Sequence, residues 1–467
     1  MVIASDPSDG VTSGAESRQA VWSIDGRSFR LRADASAAWR IGDYLSVTDG
    51  SGSRRLGMLE TVDPVTETAI AGSGTLFDVG GQQSSQPFRT FELSKSQSTT
   101  IQDFYRSASL GMGSLLAARD VIAGLMPAKL NRHTFWCGQS GSGKTYALGV
   151  ALERILVQTR LPIVIFDANS DFVRLNTPRD DADPGEAAAL ISRDIRVLRP
   201  GDGKDSLRIR FRDMSAQVRA ALIRLDPLVD RAEYNALLRT KDIAAPFEDP
   251  RELSPFLRSL NDAGYTALAE RLENLGVLNW QIWAGDRTAA TEIIAERPAA
   301  TVLDLGSFTD REEQLAVALG VLSDLWARRE ERRPVLLVID EAHNLCSPDL
   351  ESVAGRAVRD LIISIAAEGR KYGLWLLIST QRPSKVHRGI ISQCDNLTLM
   401  RMNSPDDLDE LAHLFGFVPR AMLAQSSRFH QGEALLAGGF VPAPSMIRVR
   451  DRLSEEGGID VRVPMPE

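Results

Sequence analysis

The 467-residue chain is 43% hydrophobic and 25% charged with a net charge of −8, which suits a globular protein of two or three domains. The acidic total excludes a surface that coats nucleic acid throughout, so any nucleic-acid contact must use a local basic face. Cys137, Cys346 and Cys394 stand far apart with no C-x-x-C, which argues against a disulfide framework or a zinc site and suits a reducing cytoplasm.

Residues 1–18 are small and polar and are expected to be disordered. Across 19–93, short alternating runs at 20–24, 28–33, 44–48, 56–62 and 68–71 are separated by Asp25-Gly26, Asp49-Gly50 and Asp63-Pro64. Such runs and turns predict a small β-barrel or β-sandwich of five or six strands. Nothing in it carries catalytic chemistry. Its expected role is oligomerisation or partner docking, with a plain spacer as the bland alternative.

Residues 94–467 read as one α/β domain. The connecting stretch 109–130 is expected to be partly helical, ending near Met126-Pro127. Then Gly138-Gln139-Ser140-Gly141-Ser142-Gly143-Lys144-Thr145 fits G-x-x-x-x-G-K-[ST] at every fixed position. The apolar stretch 133–137 before it predicts a buried strand. After it, Leu148, Ala151, Leu152 and Ile155 fall at helical spacing. In that setting the backbone N–H groups from Gly138, Ser140, Gly141, Ser142 and Gly143 converge on a phosphate, and the helix N-terminus adds partial positive charge. Lys144 reaches the β- and γ-phosphates, and the Thr145 hydroxyl can ligate Mg²⁺.

A second buried strand at 161–166 stops at Asp167, with Asp171 just beyond, at the strand end where α/β sheets place ligands. A mostly helical insertion is expected over about 204–298, with a strand at 207–211 near its start. Its Lys204, Arg208, Arg210, Arg212 and Arg219 either line a channel or form a solvated face. Strands at 301–305, 335–339, 374–378 and 397–402 alternate with helices at 311–329 and 352–370. A terminal hairpin is expected over about 432–450. This alternation predicts a mostly parallel, doubly wound sheet.

Two further strand ends carry chemistry. Asp340-Glu341 follows five apolar residues. Asp340 suits the Mg²⁺ shell, and Glu341 suits a general base for the attacking water. Thr380-Gln381 closes the next strand, where Gln381 can report a γ-phosphate. Among isolated cations, Arg370, Lys371, Arg382, Lys385 and Arg401 are candidates to complete a site from a neighbouring subunit.

With these residues in place the chain resembles the HerA-type ATPases of the HerA/FtsK superfamily. The resemblance rests on Phe166-Asp167-Ala168-Asn169-Ser170-Asp171-Phe172, Ile339-Asp340-Glu341-Ala342-His343-Asn344 and Glu368-Gly369-Arg370-Lys371-Tyr372-Gly373. It continues through Ser379-Thr380-Gln381-Arg382-Pro383 and Gly432-Glu433-Ala434-Leu435. It implies a RecA-like P-loop core behind a HAS-type barrel. It also implies a cytoplasmic homohexameric ring that hydrolyses ATP with Mg²⁺ at its subunit interfaces and moves double-stranded DNA. By the same resemblance Asp167 lies in the nucleotide site, Gln381 senses the γ-phosphate and Arg370 reaches the neighbour's site. The resemblance also implies a partner nuclease or defence effector, since members of the family commonly pair with one, and this chain shows no nuclease chemistry of its own. A second expectation is a scaffold that assembles and switches an effector, with DNA pumping secondary. The chain has no apolar run near the roughly 18–20 residues of a membrane span, which disfavours a membrane pump.

Overall fold

The computed structural model describes residues 19–49, 52–77, 86–243 and 250–458. The segment 1–18, expected to be disordered, lies outside them. Contacts divide the chain into two compact units. One runs up to Phe104 and includes Leu116–Val121, and the other holds Tyr105–Leu115 and Ile122 onward.

The first unit is an antiparallel sheet of β1 (Ala20–Ser23), β2 (Ser28–Asp34), β3 (Tyr44–Thr48), β4 (Arg54–Thr66), β5 (Ala69–Phe77), β6 (Phe88–Thr90) and β7 (Leu93–Lys95). Its order is β6-β1-β2-β5-β4-β3-β7. The two outermost strands are joined only by Phe91-Glu92, so the sheet must curl until its edges meet. The Gln19 amide crosses that seam, donating to Phe91 O at 3.3 Å and Leu93 O at 3.2 Å. Alternation along β2 turns Phe29, Leu31 and Ala33 inward onto Val21, Leu45 and Val47. The sheet has seven strands, where the sequence pattern marks five or six. The extra pair, β6 and β7, has three residues each, too short to show a period.

The second unit is built on an eleven-stranded sheet of β8 (Leu110–Leu115), β9 (Ile122–Leu125), β10 (His133–Cys137), β11 (Ile163–Asp167), β12 (Ile195–Leu198), β13 (Ala300–Asp304), β14 (Val335–Ile339), β15 (Leu374–Thr380), β16 (Cys394–Leu399), β17 (Glu433–Gly438) and β18 (Ser445–Val449). The order is β12-β13-β11-β14-β15-β10-β16-β17-β18-β8-β9. Pairing is parallel from β12 through β16 and antiparallel beyond. Every residue of β10, β11, β13 and β14 is buried, as strands covered by helices on both faces require. The register sets Phe166 beside Ile339, Ile339 beside Ile378, and Cys137 beside Thr380. The chain therefore leaves β10, β11, β14 and β15 along one rim, the carboxyl edge where such sheets bind ligands.

Two expectations are corrected here. Residues 109–130 form the hairpin β8–β9, with only the short 3-10 turn Pro127–Lys129 following it. Glycines favour the close-packed ladder over a helix: a Cβ on Gly124 would lie 2.4 Å from Leu110 O. Residues 207–211 are not a strand. Their pairing is a single bridge, Ile209 to Trp283, with Ile209 N donating to Ile282 O at 2.7 Å. The intervening arginines turn inward. Arg208 donates to the carbonyls of Gln281, Trp283 and Gly201, and Arg210 to those of Gly285 and Arg287. Arg219 is buried 5.7 Å from the centre of the Phe211 ring. These three are not a solvated face, although Arg210 and Arg219 border a cavity beside Leu319 and Gly320, and Lys204 and Arg212 remain exposed. Arg208, Arg210 and Arg219 hold the insertion together, with helices Ala216–Leu222, Arg231–Ile243, Pro250–Ser259 and Ala263–Asn274.

His133 opens the P-loop strand, fully buried, and its Nδ1 accepts from Leu376 N at 2.9 Å. Burial, with the nearby Arg370 charge, lowers its pKa to about 4. The unfolded chain then binds more protons between that value and 6.5, so this group's contribution is lost as pH falls through the window. The wild type should lose about 3 kcal/mol more between pH 7 and 4 than His133→Gln, read from denaturant midpoints. Parallel pH curves for the two proteins would contradict it.

Candidate nucleotide site

The loop 138–145 runs from β10 into the helix Lys144–Gln158. Gly143 caps that helix with φ +87°, and Gly141 has φ +72°, both left-handed values that side chains resist. No side chain caps the N-terminus, so its first N–H groups remain directed outward. A Cβ on Gly138 would stand 2.5 Å from Met400 Cβ. The loop is braced from behind: Gln139 N donates to Arg401 O at 2.9 Å, and Gly432 N to Ser142 O at 3.0 Å. Ser140 is exposed, Ser142 buried and Thr145 half-buried. Gly138→Ala should weaken ATP binding by about tenfold, because backbone packed against Met400 has to move. Isothermal titration with unchanged affinity would refute this.

Lys144 Nζ is buried 3.0 Å from Asp340 Oδ1, 3.2 Å from Glu341 Oε1 and 2.9 Å from Ser379 Oγ. Ser379 Oγ also donates to Asp340 Oδ1 at 2.7 Å. Burial opposes the ammonium, but the Asp340 and Glu341 charges outweigh it and raise the Lys144 pKa. Glu341 has φ +43°, a strained value for a residue with a side chain. Burial favours its neutral form. The His343 bond, the Lys144 charge and the Gln381 bond win, lowering its pKa to about 2. Gln381 Nε2 donates to Glu341 Oε1 at 2.6 Å. His343 Nδ1 lies 3.3 Å from both Glu341 Oε2 and Thr380 Oγ1. Glu341 is thus an ionised carboxylate held from three sides, able to accept a proton from water.

Asp167 faces its own loop. Its two oxygens accept from Asp171 N at 2.9 Å and Phe172 N at 2.8 Å. Its contribution is to build the turn that presents Asp171. Oxygens of Asp167, Asp171 and Asp340 all lie within 4.8 Å of one another. Burial raises the Asp167 pKa to about 7, and burial with the Asp340 charge raises that of Asp171 to about 6. Asp340 Oδ2 is buried with no hydrogen-bond partner among the described residues. An oxygen-rich cluster with an unmet carboxylate oxygen, beside the Thr145 helix, fits Mg²⁺.

Arg370 does not join this group. It lies at the start of β15, and Thr380 ends that strand, so roughly 20 Å of sheet separates Arg370 from its own P-loop. Its Nη1 contacts Asp395 Oδ2 at 2.5 Å, and its side chain is 40% exposed. Sequence reasoning assigned no role to Ser379 or to His343. His343 lies two residues after Glu341 in the Asp-Glu-Ala-His run, but only the fold shows that its ring meets the carboxylate.

Comparison with known proteins agrees with this architecture. Residues 110–324 match the family described as Helicase HerA, central domain. The DNA double-strand break repair helicase HerA of Pyrococcus furiosus is 23% identical over 425 residues, covering 78% of this chain and 73% of that protein. The HerA helicase of Sulfurisphaera tokodaii is 33% identical over 120 residues, 25% of this chain and 23% of that one. Among solved structures, VirB4 of Thermoanaerobacter pseudethanolicus shares the fold with a TM-score of 0.52 at 16% identity, over 73% of this chain and 96% of that one. Plasmid coupling protein TrwB bound to an ATP analogue gives 0.52 at 15% identity, over 77% and 93%. The P-loop, the acidic strand end and the glutamine beside it lie on a mostly parallel RecA-like sheet of the fold these structures share, and the central-domain match with the HerA relatives supports a HerA-type P-loop ATPase, an enzyme that hydrolyses ATP.

Proposed function

We propose that this chain is the motor subunit of a homohexameric ring that hydrolyses ATP with Mg²⁺ to move double-stranded DNA, in concert with a nuclease or other effector. The reading rests on one observation above all. Lys144, Asp340, Glu341, Ser379 and Gln381 form a continuous bonded set along one sheet rim. DNA enters through the relatives, which are described as DNA break-repair helicases.

In this mechanism the N–H groups of residues 138–145 and the Lys144 ammonium bind the β- and γ-phosphates. Thr145 and Asp340 would hold Mg²⁺, which withdraws charge from the phosphate oxygens. Glu341 takes the proton of the attacking water. Gln381 already bonds Glu341 and would link that base to a bound γ-phosphate, so the state of the phosphate is felt at the base. Arg370 of an adjacent subunit supplies the charge that this subunit lacks at the γ-phosphate.

The test is ATPase activity with and without linear duplex DNA. Turnover should rise with duplex, and the stimulation should fall steeply with added salt. Turnover indifferent to duplex at every salt concentration would remove DNA from the reading.

A second reading, a scaffold that docks an effector, is favoured by the barrel surface. Trp22, Ile24 and Phe91 are 38%, 80% and 53% exposed, and Trp22 pairs with Arg89 across β1 and β6. Replacing Trp22 and Ile24 with serine should then abolish effector capture without altering ATP turnover. Capture at wild-type strength would dismiss it.

A further inference from the structure

The chain after β18 returns to the nucleotide site as a strap. Arg452 N donates to the Tyr146 hydroxyl at 2.8 Å. Leu453 N and Ser454 N each donate to the Glu153 carboxylate at 2.8 Å, and Ser454 Oγ does so at 2.6 Å. Tyr146 and Glu153 both belong to the P-loop helix. The strap then runs along the loop that carries Asp171. Arg179 N donates to Leu453 O at 2.8 Å, Glu455 N to Thr177 O at 2.9 Å and Gly457 N to Asp171 O at 3.0 Å. It therefore bonds to both elements that frame the site.

Arg452 sits where the two meet. Its side chain is fully buried, with Nε 3.4 Å from Glu153 Oε1 and Cζ 5.6 Å from the Phe172 ring centre. It lies flat on Gly149, where a Cβ would come within 2.6 Å of Cζ. Phe172 directly follows Asp171, and the Arg452 charge favours the ionised form of Asp171. Nη1 and Nη2 are sealed from solvent without a hydrogen-bond partner among the described residues, and Nη1 lies 3.9 Å from Glu456 Oε1. The strap's own amides already meet Glu153, so a latch alone does not need this cation. A methionine would remove the unmet donors but would leave the buried Glu153 carboxylate without its countercharge. The charge and planar shape are what an apolar residue would not provide. They lie between the P-loop helix and an acid loop whose Asp171 is repelled by Asp340 and Glu341.

We propose that Arg452 is a positioning residue for ATP hydrolysis: it holds the Asp171 loop at a set distance from the P-loop helix, so that Asp171 can serve the metal side of the site. It acts through Asp171 and touches no reacting atom. The proposal rests on ATP hydrolysis and not on the DNA reading.

The test uses the full chain without DNA, comparing wild type with Arg452→Met and Arg452→Lys. Three quantities are read: kcat for ATP, the Mg²⁺ concentration at half-maximal turnover, and binding of a fluorescent ATP analogue in EDTA. Arg452→Met, assayed below its own unfolding transition because loss of the countercharge to buried Glu153 lowers the thermal midpoint, should lower kcat about tenfold and raise half-saturating Mg²⁺ about tenfold, with Mg²⁺-free nucleotide affinity kept within about twofold. Arg452→Lys should fall between the two. Wild-type kcat and Mg²⁺ dependence in Arg452→Met would overturn the proposal. So would a parallel loss of Mg²⁺-free nucleotide binding, the mark of a damaged P-loop helix. Should Arg452→Met fail to fold, Arg452→Lys decides: about a threefold rise in half-saturating Mg²⁺ upholds the assignment, and a wild-type value ends it. Failure of DNA to stimulate the wild type would bear on the DNA reading alone.

Discussion

Glu341→Gln lowers kcat for ATP by about 10²–10⁴-fold and leaves the nucleotide bound. The glutamine keeps the shape of the side chain in a fully packed place but cannot accept a proton. Binding is carried elsewhere, by the loop 138–145 and by Lys144, whose other partners Asp340 and Ser379 are untouched. The two functions therefore separate: Lys144→Ala should lose affinity as well as turnover. Single-turnover hydrolysis and equilibrium binding, measured side by side, decide it. Turnover of Glu341→Gln within tenfold of wild type would assign the base elsewhere, and His343 would be the next residue to test.

Arg370→Ala should cost more, about 10³–10⁵ in kcat, if this residue acts on the neighbour's γ-phosphate. Its place at the far rim of β15, paired with Asp395, keeps it from its own site, so the proposed role would be exercised between subunits. Mixing distinguishes this from simple damage. Arg370→Ala and Glu341→Gln proteins, each nearly inactive, should recover part of the wild-type rate when assembled together. Some interfaces would then join an intact glutamate to an intact arginine. Mixed assemblies with no recovery would dismiss Arg370 in favour of Arg382 or Arg401. Arg401 already touches the P-loop from within, its Nη2 donating to Gly141 O at 3.3 Å.

The parallel core was legible because burial on both faces writes itself as unbroken apolar runs. Strands β11, β14 and β15 are such runs, each ending abruptly in polar residues, while β10 and β13 are buried runs interrupted by His133, Thr134 and Thr301. The ordered motifs at those ends named Lys144, Asp340, Glu341 and Gln381, and the strand register brings these residues together. Elements that depend on distant partners were not legible. The hairpin β8–β9 is stabilised by β18, more than 300 residues onward, and its glycines give no clear period. The insertion's arginines look like any basic stretch until carbonyls from another loop are found around them. Asp167 reads as a ligand by position, and only the fold shows that its oxygens also hold the turn that follows it. Arg452 carries no motif at all. Its meaning lies in Glu153 and Gly149, which only the fold places beside it.

The pairing of β18 with β8, and of the strap with the P-loop helix, also orders events in time. A ribosome adding about 5–20 residues per second needs on the order of 15–60 s to travel from the end of the P-loop helix to Arg452. Throughout that interval the nascent chain holds a complete phosphate-binding sequence whose rear brace, Gly432, and whose strap do not yet exist. The last strands to emerge are inserted between β16 and β8, in the interior of the sheet. A chain cut short before them would leave two open strand edges for chaperones or aggregates to find. Products cut short before the strap therefore should not become idle ATPases, because the nucleotide site is completed only once the chain has passed Arg452.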